Sequence, residues 1–449
     1  MFVRRVDLPP DPFAVAARLA TRPGLAMLVS DARAALYASD ARFDFVAVSP
    51  VATSDAFVPE PSDPTRAIGW NGSPAAPEWF GVVPYEAFRS LERHSDLRGL
   101  SEPRWRSPAW SRYDAVVRIE RATGVVTLEG DDVDAVGRLH DALHAHAAVG
   151  ADGDFVLRPR PRSAADDDAH AARVRRVLEF VAAGDVYQVN VARAFRFDWE
   201  GDPRKAFARM FRRAPAPYGF YAEFPDDVVL GTSPELALSV NGDELRSSPI
   251  KGTRPRGADA ASDAAFSAEL DASPKERAEL TMAVDLHRND LGRVAEPGSV
   301  RVCGEPVLTR GRTVTSRVAD VVARRRPGAS RSDVVRAMLP CGSVTGAPKV
   351  RAMEIIAELE DFRRGLYTGA MGALGRDGRL TLAMAIRTLE LHVAEGHDRT
   401  RAKSGAPSVT RGEGVYAAGG GIVADSDPRM ETEETFWKAA QVFALCGDH

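Results

Sequence analysis

The sequence predicts an α+β fold built on antiparallel strand pairs. Two pairs of strand-like runs flank hairpin signals: Leu236–Val240 and Leu245–Pro249 across Asn241-Gly242, and Leu366–Leu374 and Arg379–Leu391 across Asp377-Gly378. Helical segments fall between such pairs. The clearest follows Ser273-Pro274, where a capping serine, a proline suited to the first helical position and Glu276 form a capping box. Long antiparallel pairs alternating with helices argue against a doubly wound parallel sheet.

Residues 1–150 form a first region dense in Pro, Ala and Arg, with β-like runs at Arg42–Val48, Ala115–Glu120 and Val125–Leu128. His140, His144 and His146 lie in an Ala-rich stretch read as a surface helix, because no second ligand cluster accompanies them. The Pro- and Asp-rich passage 151–168 reads as a linker. A more regular domain follows over 169–446. Ala169–Ala183 has helical apolar spacing and ends at Gly184, suited to a helix C-terminus. Strands are predicted at Val186–Phe197, Gly219–Glu223 and Val228–Thr232, and a glycine-interrupted one at Tyr416–Val423. Helices are predicted from Ser273 to about Asn289, from Thr345 to Glu360 and over Glu431–Leu445, and Glu395–Glu413 reads as an exposed loop.

With 59 basic against 63 acidic residues and a net charge of −4, the chain lacks the basic excess of a nucleic-acid or anionic-membrane binder. No apolar run is long enough for a transmembrane helix, and the N-terminus lacks the apolar core of a signal peptide. Cys303, Cys341 and Cys446 are too scattered for a disulfide framework or a metal cluster. A reduced, cytoplasmic setting is expected. Lysine is scarce: Lys205, Lys251, Lys275, Lys349, Lys403 and Lys438 are all there are. A chain that places arginine almost everywhere can keep lysine where a compact, deprotonatable amine is needed.

Four segments carry candidate chemistry. In Pro249–Pro255, Lys251 stands at a strand end beside Gly252, either as a surface cation or as a nucleophile. Glu276 and Glu279 share one helix face, solvated or available to a hard cation. Cys341–Lys349 is a small-residue turn opening a helix, either a plain N-terminus capped by Thr345 or an anion cradle. In Ala418–Ser426, consecutive glycines interrupt a strand, which is costly unless backbone or ligand comes close. Glu431, Glu434 and Lys438 follow, the last two as an i, i+4 pair.

Together these segments resemble the chorismate-utilising enzymes, the family of the anthranilate, aminodeoxychorismate, isochorismate and salicylate synthases. The matching stretches are AGDVYQVNVAR (183–193), GTSPEL (231–236), PIKGTRPRG (249–257), ERAELTMAVDLHRNDLGRV (276–294), CGSVTGAPKVRAMEII (341–356), YTGAMG (367–372), AIRT (385–388) and AGGGIVADSDPRMETEETFWKA (418–439). They span about Asp166 to Cys446; RFDFVAVSP (42–50) is the best fragment of the first region. The resemblance implies an anthranilate synthase component I-like fold of layered, largely antiparallel sheets flanked by helices. It implies Mg²⁺ held by Glu279 and Glu434, with Glu276 and Glu431 flanking, and chorismate bound through the metal by its ring carboxylate. Gly252, Thr253, Tyr367, Gly419, Gly421 and Lys438 match substrate-contacting positions, and Arg387 one that would clamp the enolpyruvyl carboxylate. Lys349 matches a position near the site.

Two positions discriminate among members. Lys251 matches the aminodeoxychorismate synthases, whereas anthranilate synthases carry alanine there. Gln188 stands where the isochorismate and salicylate synthases carry a lysine that activates water. The resemblance thus implies amination of chorismate at C4 through Lys251, on the route to p-aminobenzoate and folate, with ammonia from a separate glutamine amidotransferase subunit. Amination toward anthranilate is the alternative. A third reading, a weakened chorismate binder, follows from Thr313, which aligns with the family's usual histidine acid. Leu28-Val29-Ser30-Asp31 departs from the family's tryptophan-binding element, so tryptophan binding is not expected.

Overall fold

The computed structural model describes residues 1–31, 42–62, 75–88, 104–145, 154–160, 164–394 and 410–446. The described strands form two large sheets, antiparallel at every pairing. One includes Ala26–Val29, Tyr218–Glu223, Asp227–Ser233, Thr388–Val393, Thr410–Ile422 and Gln188–Gly201; the other includes Ile250–Pro255, Val314–Arg324, Glu244–Ser248, Leu236–Asn241, Leu380–Met384, Ala370–Gly375 and Pro77–Val83. Both sheets contain strands from before and after residue 150, so both regions of the sequence hydrogen-bond into the same two layers.

The sheets pack face to face. Ala26, Phe43, Phe45, Phe220 and Val229 from one meet Phe80, Val82, Met371 and Ala373 from the other in a single apolar cluster. Alternation then fixes the outer faces: Val228 and Leu230, on either side of Val229, point instead into a second cluster with Phe207, Met210, Ala439 and Val442 of the helices Pro203–Arg213 and Pro428–Phe443. The other sheet is covered by Leu280, Val284 and Leu291 of the Pro274–Gly292 helix and by Arg331–Met338. Among the described residues no helix is long and apolar enough to cross a membrane.

Local signals set many boundaries. Ser273 caps the Pro274 helix by accepting from the Glu276 backbone N–H, and Asn241-Gly242 makes its turn with Gly242 at φ 60°. Three expectations shift. Within 151–168, Val156–Pro159 forms a strand against Phe197–Glu200, and the next helix begins at Ala164. The helix expected from Thr345 begins at Lys349, because Gly346 and Ala347 pair with Val189 and Gln188 and draw the backbone into the sheet. Thr345 instead donates its hydroxyl to the Cys341 carbonyl. The run Arg379–Leu391 is not one hairpin arm: Leu380–Met384 belongs to one sheet and Thr388–Val393 to the other, with Arg387 at φ 55° between them. The loop expected over Glu395–Glu413 lies for the most part outside the described residues, and Thr410–Glu413 is strand.

Asp227–Ser233 and Leu236–Asn241 change sheets in the same way, at Pro234-Glu235. The two crossings lie side by side, tied by Thr232 N–H to the Arg387 carbonyl (3.1 Å) and Met384 N–H to the Glu235 carbonyl (3.0 Å). Behind them the buried Arg364 binds Glu360 (2.6 Å) and also donates to the carbonyls of Asn190 and Val344 and to Thr368. Arg364→Met leaves the Glu360 carboxylate buried without its counter-charge and strips those carbonyls of their donor. A loss of about 3–5 kcal/mol is expected, read as a lower urea midpoint with an unchanged slope.

Candidate active site

The crossings put Glu235 and Arg387 at the place where the two sheets part, and the remaining candidate groups gather around them. Lys251 arrives on Ile250–Pro255, paired opposite Arg317, and is partly buried. Its charge acts on Glu235, on Glu279 and Glu434, and on His287. No described carboxylate lies within ion-pair distance of its amine. Next to it Gly252 takes φ 75°, and a Cβ there would meet Leu270 and, at 3.0 Å, a Glu276 oxygen. Only glycine both adopts that conformation cheaply and leaves the carboxylate room.

Glu276 and Glu279 come from the Pro274 helix, Glu431 and Glu434 from the Pro428 helix. Electrostatically the two pairs meet: Glu279 feels both Glu276 and Glu434, and Glu431 feels Glu434. Burial pushes the Glu279 and Glu431 carboxyls up, with Lys251 opposing this at Glu279 and the Ser426 hydroxyl opposing it at Glu431. Burial is the largest single influence on Glu434 as well, but Lys438, Lys251 and Arg387 together hold that carboxyl below its usual range. Each carboxylate has a partner: Arg254 for Glu276 (3.0 Å), Lys275 for Glu279 (3.9 Å), Ser426 for Glu431 (2.7 Å) and Lys438 for Glu434 (2.6 Å). Among the described residues no group of three potential ligands converges as a finished metal cage. The donor set, carboxylate oxygens from two helices, is of the type that fits a hard cation.

The glycine run is explained by close approach. A Cβ on Gly419 would strike the Val191 carbonyl of the paired strand, and one on Gly420 would lie 2.6 Å from a Glu431 oxygen. Lys438 donates to the Gly419 carbonyl (2.7 Å) while holding Glu434, so it joins the glycine strand to the carboxylates. Gly421 packs against the buried Gln188 amide. The Arg387 guanidinium donates to the Lys438 carbonyl (3.3 Å), which also accepts from the Tyr416 hydroxyl (2.6 Å), and its charge reaches Tyr367 and Glu434. Tyr367 is buried and its phenol is pushed up by that burial.

The structure thus gathers Lys251, Gly252, Glu276, Glu279, Tyr367, Arg387, Gly419, Gly421, Glu431, Glu434 and Lys438 around one region. Thr253 lies at its border, its hydroxyl 3.2 Å from that of Ser316. Lys349 sits deeper, paired with the buried Asp290 at 2.7 Å. Thr313 stands apart: it is exposed in the turn between Arg301–Arg310 and Val314–Arg324, its carbonyl accepting from Arg256 N–H. The expected pattern of residues passed over Glu235. It is buried beside Lys251 with the Ser343 hydroxyl 3.1 Å away, and burial raises its carboxyl to about 7 against the opposing pull of Lys251. The signal was a lone carboxylate directly after Ser-Pro at the junction of two strand-like runs, in a stretch that also reads as an ordinary turn.

A separate apolar cleft of about 800 Å³ opens between the sheets, lined by Leu28, Phe45, Tyr218, Met371 and Thr381 among others; it contains none of these groups.

The chorismate binding enzyme family matches residues 50–444, nearly the whole chain. The protein belongs to that family. It is 36% identical over 395 residues to anthranilate synthase component 1 1 of Haloarcula marismortui, covering 84% of this chain and 74% of that protein. It is equally 36% identical, over 362 residues, to aminodeoxychorismate synthase component 1 of Klebsiella aerogenes, covering 81% of this chain and 75% of that one. Among solved structures it is similar to anthranilate synthase component I of Streptococcus pneumoniae, with TM-score 0.67 and 26% identity over 90% of this chain and 92% of that one. The expected α+β family fold is therefore present. Overall identity does not separate these two relatives, so the activity must be argued from the site.

Proposed function

We propose that the protein converts chorismate and ammonia to 4-amino-4-deoxychorismate, as the component that carries the chorismate site. The observation that carries this reading is the Lys251 amine, whose charge acts both on a buried carboxyl, Glu235, and on the Glu279 and Glu434 carboxylates. A nucleophile beside a proton donor is what displacement of a ring hydroxyl needs.

In this reading the Lys251 amine attacks C2 of the ring, the double bonds shift, and the C4–O bond breaks. Glu235, which burial keeps protonated up to about pH 7, gives its proton to the departing hydroxyl, which leaves as water. Ammonia then attacks C4, the double bonds shift back, the C2–N bond to Lys251 breaks, and the proton shed by the new ammonium returns to Glu235. Glu235 thus fills the acid role that Thr313, out at its exposed turn, is badly placed to fill. Arg387 would clamp the enolpyruvyl carboxylate, with Tyr367, Gly419, Gly421, Thr253 and Lys438 bounding the pocket. Glu279 and Glu434 would hold Mg²⁺, with Glu276 and Glu431 on its water shell, and the ion would supply positive charge for the ring carboxylate. The ammonia would come from glutamine through a separate amidotransferase subunit; the component 1 names of both relatives support a divided enzyme. Amination at C2, toward anthranilate, is the competing outcome, supported by the equal identity to an anthranilate synthase component.

Lys251→Ala tests the covalent step. Formation of 4-amino-4-deoxychorismate, followed with chorismate and ammonium, should fall by about 10²-fold or more while Mg²⁺-dependent chorismate binding persists; full activity in the variant contradicts the proposal. The pH profile tests the acid. Because the raised Glu235 carboxyl must be protonated to act, activity should decline as pH rises through about 7. Glu235→Gln should lower the rate by about 10²–10⁴-fold and remove that limb.

A further inference from the structure

One buried polar chain in this region runs from Glu235 through three side chains that take no part in binding or bond-making. Ser343 Oγ lies 3.1 Å from Glu235 Oε1 and 3.0 Å from His287 Nε2; His287 Nδ1 lies 2.7 Å from Ser247 Oγ; and Ser247 Oγ lies 2.6 Å from the Ala237 carbonyl oxygen. All four side chains are buried, and His287 is completely so. His287 projects from the middle of the Pro274 helix, whose other buried residues are the apolar Leu280, Ala283, Val284 and Leu291 and the acidic Asp290.

The protons in this chain can be ordered from its closed end. The Ala237 carbonyl can only accept, so the single Ser247 hydroxyl proton goes to it, and the Ser247 oxygen accepts from His287 Nδ1–H. The imidazole is neutral: burial, reinforced by the Lys349 and Lys251 charges, lowers it to about 3. A neutral ring with its proton on Nδ1 has an acceptor at Nε2, so Ser343 donates there. The Ser343 oxygen is then an acceptor toward Glu235, and the partner it suits is a protonated carboxyl.

We propose that His287 is a positioning residue that, through Ser343, holds Glu235 in its protonated form and aims it for proton transfer. The proposal rests on the reading of Glu235 as the proton donor. The other ionisable groups facing Glu235 are the Lys251 amine on the adjoining strand, which favours the ionised carboxylate, and the Cys341 thiol, which burial holds protonated. Lys349 and Asp290 pair with each other beyond His287. Against the pull of Lys251, an acceptor fixed on Glu235 by the far end of the chain keeps the proton in place. Replacing His287 by an apolar residue frees the Ser343 proton to turn to Glu235, which stabilises the carboxylate and lowers its pKa.

The test is a pH titration of the Glu235 carboxyl by infrared difference spectroscopy, its C=O band assigned by its loss in Glu235→Gln, alongside the pH–rate profile. In His287→Leu both the band and the basic limb of the rate should move down by about one pH unit. His287→Gln, which keeps an acceptor oxygen and a donor, should restore both toward wild type. Unmoved midpoints in a folded His287→Leu overturn the proposal. Should that variant not fold, ¹⁵N NMR of the wild-type ring decides: Nδ1–H with bare Nε2 is expected, and a proton on Nε2 overturns it. If Glu235 is not the proton donor, Glu235→Gln keeps its activity, while the infrared titration still reports whether His287 governs the carboxyl.

Discussion

The structure turns on one constraint, the paired crossing of two strands from one sheet to the other. The Asp227–Asn241 and Leu380–Val393 stretches run antiparallel through both layers and change layer at the same level, locked by two backbone hydrogen bonds. Ladder pairing must lapse at such a crossing, so residues there project neither into a face-to-face core nor into a helix-covered face. Glu235 and Arg387 occupy those positions. The left-handed backbone of Arg387 is a strain that the flanking ladders on both sides outweigh. A carboxyl and a guanidinium fixed at a parting of two sheets make the floor of a site, and the arriving elements supply the rest.

Charge balance decides what that site can do. The sequence uses 59 basic residues almost entirely as arginine, and several of these serve structure: Arg364 binds Glu360, Arg254 holds Glu276, and Arg193 anchors Thr435 and the Thr432 carbonyl of the Pro428 helix. Three of the six lysines lie where a compact amine is wanted. Lys438 holds Glu434 against the glycine strand, Lys349 neutralises buried Asp290, and Lys251 stands among carboxylates without closing an ion pair. The four glutamates on two helices supply oxygen donors of the kind a hard cation takes. Glu235, apart from that group and under the charge of Lys251, keeps its proton up to about pH 7 because burial outweighs the lysine's pull.

Much of this was legible in the sequence where a local rule governs. Ser273-Pro274, Asn241-Gly242 and Gly184 did what capping and turn chemistry predict, and the family motifs marked most of the groups that gather around Lys251. What escaped was tertiary. Arg379–Leu391 has the residues of a continuous strand, and only a second sheet waiting to receive Thr388–Val393 breaks it. Thr345 looks like a helix cap until Gly346 and Ala347 are claimed by Gln188 and Val189. Glu235 lies in the GTSPEL stretch, which marks the family but not the residue's role; its partners Lys251, Ser343 and, through Ser343, His287 come from distant segments. Burial of its carboxyl, which gives it its chemistry, is a property of the packed sheets alone.

The central claim, that Lys251 and Glu235 together direct nitrogen to C4, is met most directly by identifying the product. Purified protein given chorismate, ammonium and Mg²⁺, with the products separated and identified by mass and NMR, should yield 4-amino-4-deoxychorismate with the ring not aromatised. Anthranilate as the product would contradict the account.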